Sequence, residues 1–538
     1  MMNVPLTVGS MLERAEKFFP KKEVISRTLS GVHRFTYKEI GSRTRKLAAA
    51  LERLGVGRGD KVGTVAWNHH RHLECYFAAP GMGAVLHTIN IRLSAEHIAY
   101  IINHSEDKVL LIDEDLVPLI ERVQDQLKTV SAYIIMTDSD VLPSTTLDPV
   151  FSYEKLISES DGKFEFIKDL DENEPAGMCY TSATTGNPKG VVYSHRGLVL
   201  HSFALGLADT AAISEYDVCM PVVPMFHANA WGLPFAATWF GSTQVLPGPQ
   251  FTPKLLAELI SSEKVTLTAG VPTIWLGLLN ELENGSYDTS SLRAILCGGS
   301  AAPRGIIKAF ETKFGIPFLH AYGMTETTPI ATISRLKSYQ NDLDDEDMLD
   351  VRSKQGLLVP GLEMKVIGAN GEVAWDGSEM GELLLRGPWI ADEYYMDERS
   401  SDAFRDGWLY TGDVATVDEE GVVKLVDRTK DLIKSGGEWI SSVDLENALM
   451  AHEGIFEASV IAVPHSQWQE RPLACVVLKP AFQGKVSKDD LLEFLAPQFA
   501  KWWLPDDIVF MEEIPKTSVG KFLKRALREQ LKDHLVNN

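Results

Sequence analysis

Hydrophobic positions along the chain fall into two alternating patterns. Short apolar runs at Lys61–Trp67, Val109–Ile112, Tyr133–Met136, Val218–Val223, Val265–Ala269 and Ala294–Cys297 carry strand character. Helix-like stretches lie between them, among them Pro253–Glu263 and Pro303–Gly315. Strands alternating with helices predict parallel sheets covered by helices on both faces. Residues 10–55 read as helical, closing at the glycines that follow Leu54. From about 355 to 427 the strands shorten, as in Leu362–Ile367, Gly381–Gly387 and Gly421–Asp427, with Gly- and Asp-rich turns between them. That change predicts an antiparallel or barrel-like subdomain. Beyond Arg428 a further α/β mixture has the size of one small domain. The expected fold is therefore mixed α/β: a large N-terminal domain of two helix-flanked sheets plus a small β-barrel-like subdomain, then a smaller C-terminal α/β domain.

Length and charge narrow the picture. At 538 residues the chain exceeds what one core supports, and roughly three or four units are expected. A net charge of −22 argues against a nucleic-acid surface, so any anion must be held by local loops and single cations. Five scattered cysteines without a CxxC pair suit a reducing cytosol better than a disulfide framework or a zinc site. The first residues mix charges and lack an apolar signal core. No apolar run approaches the roughly 18 residues of a membrane span. A cytoplasmic protein is expected.

Candidate chemistry begins at Tyr180–Gly190, YTSATTGNPKG. Thr181, Ser182, Thr184 and Thr185 supply hydroxyls, Gly186 lets the backbone approach an anion, and Lys189 adds a cation. Such a loop suits phosphate, although it lacks the GK[ST] of a Walker A motif; a polar hairpin between two strands is the plain alternative. A second glycine turn, Gly298–Pro303, follows the strand ending at Cys297, where a parallel sheet binds a flat nucleotide. Next come His320-Ala-Tyr-Gly-Met-Thr-Glu326 and Tyr410-Thr-Gly-Asp413, which offer an aromatic ring, hydroxyls and two carboxylates. Asp427–Glu438 combines cations, a glycine pair and a carboxylate, and Pro515–Lys521 is a second hydroxyl, glycine and lysine loop. Asn341–Asp350 reads as a solvated loop or helix face, because it lacks the spacing of a calcium loop. Asn68–His72 lacks metal-ligand partners at suitable spacing and is expected at a strand end, structural or near a ligand.

Six motifs in this order resemble the adenylate-forming enzymes, a superfamily of acyl-CoA synthetases, luciferases and peptide-synthetase adenylation domains. Val222–Trp231, Lys430–Leu449 and Trp468–Pro472 resemble bacterial medium- and long-chain fatty-acyl-CoA synthetases most closely. The resemblance covers nearly the whole chain. It implies a two-step reaction: a carboxylate attacks the α-phosphate of ATP to give acyl-adenylate and pyrophosphate, and the thiol of coenzyme A then displaces AMP. The loop Thr181–Lys189 would hold the β- and γ-phosphates. Gly299, Ser300 and Ala301, with Tyr322 and Gly323, would border the adenine. Thr325 would touch the α-phosphate, Glu326 and Thr184 would carry Mg²⁺, and Asp413 and Arg428 would hold the ribose. Lys521 would bridge the α-phosphate and the substrate carboxylate.

Residues 1–429 would form the N-terminal domain and 430–538 a mobile lid turning about Lys430. Rotation would exchange Lys521 for the region around Ser435–Trp439, with Lys434, Gly437, Glu438, Trp439 and Glu470 as candidates for the thioester step. His227 and Trp231 match the acyl-binding wall, with Trp231 at a position that gates the acyl tunnel; Gly232–Phe240 could line a pocket or be an ordinary buried helix. Ala183 stands where the family usually has glycine, and its Cβ would limit positive φ and crowd the approach to phosphate. The resemblance implies a fatty acid as substrate; the alternative is a short or thioether acid such as 3-methylmercaptopropionate. A luciferase-like protein or a non-catalytic nucleotide-binding regulator is the more distant reading. Related bacterial enzymes often form homodimers.

Overall fold

The computed structural model describes the chain except residues 140, 182–185, 436–437, 466, 517–521, 533 and 536–538, and the side chain of Glu438. Two large sheets carry the N-terminal part. In the first, Phe318–Gly323, Ala294–Cys297, Leu267–Gly270, Val218–Pro221, Thr243–Leu246 and Glu23–Arg27 run parallel in that spatial order. Antiparallel strands close both edges. The second sheet orders Val150–Ser152, Ala132–Met136, Asp107–Asp113, Lys61–Val65, Val85–Thr88 and Pro175–Tyr180 in parallel, with Gly190–Ser194 antiparallel at the end. The parallel strands are nearly all buried, as expected of strands covered on both faces. The expected mixed α/β class is what the chain adopts.

A third sheet, antiparallel throughout, is built from Glu363–Gly368, Gly381–Arg386, Trp408–Val417 and Val423–Arg428 with two short strands. It answers the change of pattern at 355–427. The C-terminal part has its own core, in which Ile455–His465 and Gln469–Leu478 form a long hairpin backed by helix Ser442–Met450.

One expectation fails. Residues 10–55 are not one helical region: helices Val8–Phe18 and Tyr37–Arg53 are separated by the hairpin Glu23–Arg27/Val32–Thr36. Strand Glu23–Arg27 exists because it pairs with Thr243–Leu246, more than two hundred residues away, and local periodicity carries no trace of that partner.

Asn68–His72 sits at a strand end and is structural. Asn68 Nδ2 donates to the carbonyls of Pro221 and Val223 at 2.9 Å, His69 Nε2 meets Asp113 at 2.7 Å, and helix His70–Gly81 is buried at every residue. Asn341–Asp350 becomes largely a helix, Asp345–Ser353, capped by Asp344 and paired through Glu346 to Lys308 at 2.6 Å. It is the helix face expected, and its carboxylates stabilise the positive helix N-terminus.

Candidate active site

A cavity of about 520 Å³ opens where the carboxyl ends of the first sheet face the third sheet and the hairpin Pro175–Ser194. The hairpin supplies the phosphate-loop candidate. Its strands pair Tyr180 with Gly190, and the chain closes below the loop through Thr181 N to Lys189 O at 2.9 Å and Lys189 N to Thr181 Oγ1 at 3.2 Å. Thr181 and Lys189 line the cavity; Ser182, Ala183, Thr184 and Thr185 lie outside the described residues. Gly186 has φ +69°, a conformation that favours glycine. The Lys189 ammonium sits 3.8 Å from the centre of the Tyr394 ring, and burial lowers its pKa against the opposing pull of Glu326.

Strand Phe318–Gly323 runs into a tight turn at Thr325–Thr327. That turn buries Glu326 to 4% exposure, and Glu326 Oε1 accepts from the Tyr394 hydroxyl at 2.7 Å. The Tyr193 hydroxyl donates to the Thr325 carbonyl at 2.8 Å, which ties the turn to the hairpin. Across the cavity the Tyr322 hydroxyl donates to Asp413 Oδ2 at 2.7 Å, while Asp413 Oδ1 faces Arg428 Nε at 3.2 Å. Asp413 and Arg428 are register partners on adjacent antiparallel strands, so the third sheet fixes their approach.

The apolar side of the cavity is formed by Leu205, Trp231, Leu296, Ala321 and Ile330, with His227 at its edge. Trp231 is carried by an unusual backbone: Ala228, Asn229, Ala230 and Trp231 have φ of 43°, 53°, 49° and 58°, and Gly232 follows at 74°. A left-handed turn of L-residues costs about 1–2 kcal/mol per residue, and strain of this size persists only where the surroundings hold it. His201 is part of that hold. Its ring lies 2.6 Å from where a Cβ on Gly232 would stand, and its Nε2 accepts from the Ile330 amide at 3.2 Å. The Trp231 ring in turn lies against Gly298, where a Cβ would stand 3.3 Å away.

Residues 12–395 match the AMP-binding enzyme family, and residues 444–521 match the AMP-binding enzyme C-terminal domain. The chain belongs to the AMP-binding enzymes. It is 51% identical to a long-chain-fatty-acid–CoA ligase of Thermus thermophilus, over 99% of this chain and 97% of the relative. It is 42% identical to a 3-methylmercaptopropionyl-CoA ligase of Ruegeria lacuscaerulensis, over 100% of this chain and 99% of the relative. Among solved structures it shares its fold with the anthranilate–CoA ligase AuaEII in complex with anthranoyl-AMP. There the TM-score is 0.88, coverage is 99% of both chains and identity is 24%.

In this AMP-binding enzyme the sequence candidates divide. Thr181, Lys189, His227, Trp231, Gly299, Tyr322, Gly323, Thr325, Glu326, Arg428 and Lys430 all border one cavity. Asp413 lies just behind it, reached through Tyr322 and Arg428. Ser300 and Ala301 follow Gly299 outside the lining. Lys434, Trp439 and Glu470 do not line it either and form their own cluster. There Lys434 N donates to Glu470 Oε2 at 2.9 Å, and the Lys434 ammonium lies 5.0 Å from the centre of the Trp439 ring. Gly437, the Glu438 side chain and Lys521 fall outside the described residues.

Helix Leu233–Phe240 is an ordinary buried helix, with none of its residues on the cavity. Sequence reasoning missed Tyr394, Arg399 and His201. The first two sit in an irregular segment without period or glycine signature, and His201 lies inside a helix among apolar residues.

Proposed function

We propose that this AMP-binding enzyme is an ATP-dependent acid–CoA ligase that forms an acyl-adenylate and then an acyl-CoA thioester. One observation carries the reading: a single cavity joins the phosphate-loop shoulder, Glu326 and the Tyr322–Asp413–Arg428 corner to an apolar side that includes Leu205, Trp231 and Ile330. A nucleotide and an acyl chain would then meet end to end. Thr181 and Lys189, with Ser182, Thr184, Thr185 and Gly186, bind the β- and γ-phosphates. Gly299, Ser300, Ala301, Tyr322 and Gly323 border the adenine. Thr325 approaches the α-phosphate, and Asp413 and Arg428 take the ribose hydroxyls. Lys521 stabilises charge in the adenylate-forming transition state.

A magnesium ion fits the donors present. Among the described residues no three His, Cys, Asp or Glu side chains are grouped to hold a metal, but Mg²⁺ commonly needs one or two carboxylates besides substrate phosphates. Glu326, with the Thr184 hydroxyl, would hold it, and it would neutralise phosphate charge. Coenzyme A is the second substrate. Lys430 is the hinge between residues 1–429 and 430–538, and rotation about it brings Lys434, Gly437, Glu438, Trp439 and Glu470 to the site.

The acid is a medium- or long-chain fatty acid, which the apolar wall and the Thermus relative support; His227 and Trp231 contact it. The Ruegeria relative supports the second reading, a short or thioether acid. Among the described residues no helix is long and apolar enough to cross a membrane. The proposed setting is cytoplasmic, as a homodimer without a nucleic-acid partner.

The test is pyrophosphate release with ATP and Mg²⁺ across straight-chain acids and 3-methylmercaptopropionate, with and without coenzyme A. Turnover at medium or long chains that requires coenzyme A is expected. Release with none of these acids would defeat the ligase reading.

A further inference from the structure

The third sheet does more than face the nucleotide cavity. The segment between its strands Gly381–Arg386 and Trp408–Val417 folds back along the outgoing limb of the phosphate-loop candidate. Tyr395 N donates to the Gly190 carbonyl at 2.9 Å. The Tyr394 ring lies under the Lys189 ammonium, and its hydroxyl binds Glu326. Arg399 then reaches the loop itself: Nη1 and Nη2 each donate to the Asn187 carbonyl at 3.1 Å.

Arg399 is aimed by its neighbour. Nε donates to both oxygens of Asp397, at 2.8 and 3.1 Å, and Nη2 donates to Asp397 Oδ2. Asp397 is only 9% exposed at its side chain, so the carboxylate is a fixed base for the guanidinium. A guanidinium has five N–H donors in a rigid fork. Nε, both hydrogens of Nη2 and one of Nη1 are committed to Asp397 and Asn187. The second Nη1 hydrogen has no partner among the described residues, on a side chain that lines the cavity beside Lys189 and Asn187.

We propose that Arg399 is a further binding residue for the terminal phosphates of the nucleotide, holding the Asn187 shoulder of the loop while turning its remaining N–H to the β- or γ-phosphate. The inference rests on the reading of residues 181–189 as the phosphate loop. It assigns the third sheet a role at the end of ATP opposite to the ribose. It also gives the loop an anchor from another part of the fold at a place where Ala183 replaces the usual glycine. Arg399 acts only on phosphates beyond the α-phosphate, so AMP is indifferent to it.

The experiment is calorimetric titration of the full chain with Mg²⁺–ATP, Mg²⁺–pyrophosphate and AMP, without acid, for wild type and Arg399→Gln. Loss of one charge-assisted N–H contact to phosphate predicts ATP and pyrophosphate binding weakened about tenfold, with AMP within about twofold. Unchanged ATP binding, or equal weakening of ATP and AMP, would overturn the proposal. Should Arg399→Gln lose its cooperative thermal transition, Arg399→Lys carries the same comparison. Its ammonium keeps the charge but cannot span carbonyl and carboxylate together, so the same selective loss is expected. A wild type that releases no pyrophosphate with any acid would count against the ligase reading, while the comparison of ATP with AMP would still decide the role of Arg399.

Discussion

Tyr322 and Asp413 are joined by a 2.7 Å hydrogen bond across the cavity, from the phenol of one sheet to a carboxylate of another. Phe318–Gly323 ends the parallel sheet and Trp408–Val417 belongs to the antiparallel one, so this bond seals two units that fold from distant parts of the chain. It also engages one oxygen of Asp413, while the other faces Arg428 Nε at 3.2 Å.

Substitution at this corner should separate nucleoside recognition from acid recognition. Asp413→Asn keeps the shape and removes the charge that faces Arg428, the charge proposed to take the ribose hydroxyls. AMP binding should weaken about tenfold or more, the scale of a charged hydrogen bond. The KM for acid should move little. Equal affinity of wild type and variant for AMP, measured by calorimetry, would remove Asp413 from the ribose site.

Trp231 should set the length or bulk of the acid. Trp231→Ala opens the wall beside Gly298 and should shift the chain-length profile across a C4–C18 acid series. An unchanged profile would place the acyl chain elsewhere.

The left-handed turn makes Gly232 a stability hotspot. A Cβ there would meet the His201 ring at 2.6 Å, at φ +74°. Gly232→Ala should cost at least about 1–2 kcal/mol, from conformation alone, and more from the overlap. A chemical-denaturation midpoint equal to wild type would show that the turn can relax.

Lys521→Ala should abolish adenylate formation, a loss on the order of 3 kcal/mol or more in the first barrier. Thioester formation from synthetic acyl-adenylate should survive. Equal loss of both half-reactions would contradict a lid that exchanges its catalytic groups.

Acid should destabilise the fold through three imidazoles. Burial holds His72 and His201 down to about 3 and His195 to about 4. His195 Nδ1 accepts from Val8 N, and His201 Nε2 accepts from Ile330 N, so each works as a neutral ring. The unfolded chain protonates these groups near pH 6.5, whereas the native state resists until pH 3–4. Their stabilising effect is thus complete above about pH 6.5 and is lost as pH falls, by about 1.4 kcal/mol per unit for each ring. Urea midpoints should drop from pH 7 to pH 5, and a flat profile over that range would refute this.

Much of the cavity's lining was legible because the candidate motifs are local. Thr181–Lys189, Tyr322–Glu326 and Tyr410–Asp413 are short runs in which glycine, hydroxyl, cation and carboxylate sit within a few residues. Each of these runs meets the cavity, Asp413 at one remove through Tyr322 and Arg428. Tyr394, Arg399 and His201 escaped notice for the opposite reason. Each acts through one partner far along the chain: Glu326, Asn187 and Ile330 respectively. No spacing rule links such pairs.

By itself the sequence determined the fold class, the antiparallel character of residues 355–427 and the short motifs that come to border the cavity. Period, turn residues and short motifs are properties of neighbouring residues, and they survive without the fold. Tertiary structure decided the strand at Glu23–Arg27, the left-handed carrier of Trp231 and the approach of Arg399 to the Asn187 carbonyl. Those features exist only where distant segments pack, because a strand needs a partner, a strained turn needs a mould, and a guanidinium needs both its carboxylate and its carbonyl in place.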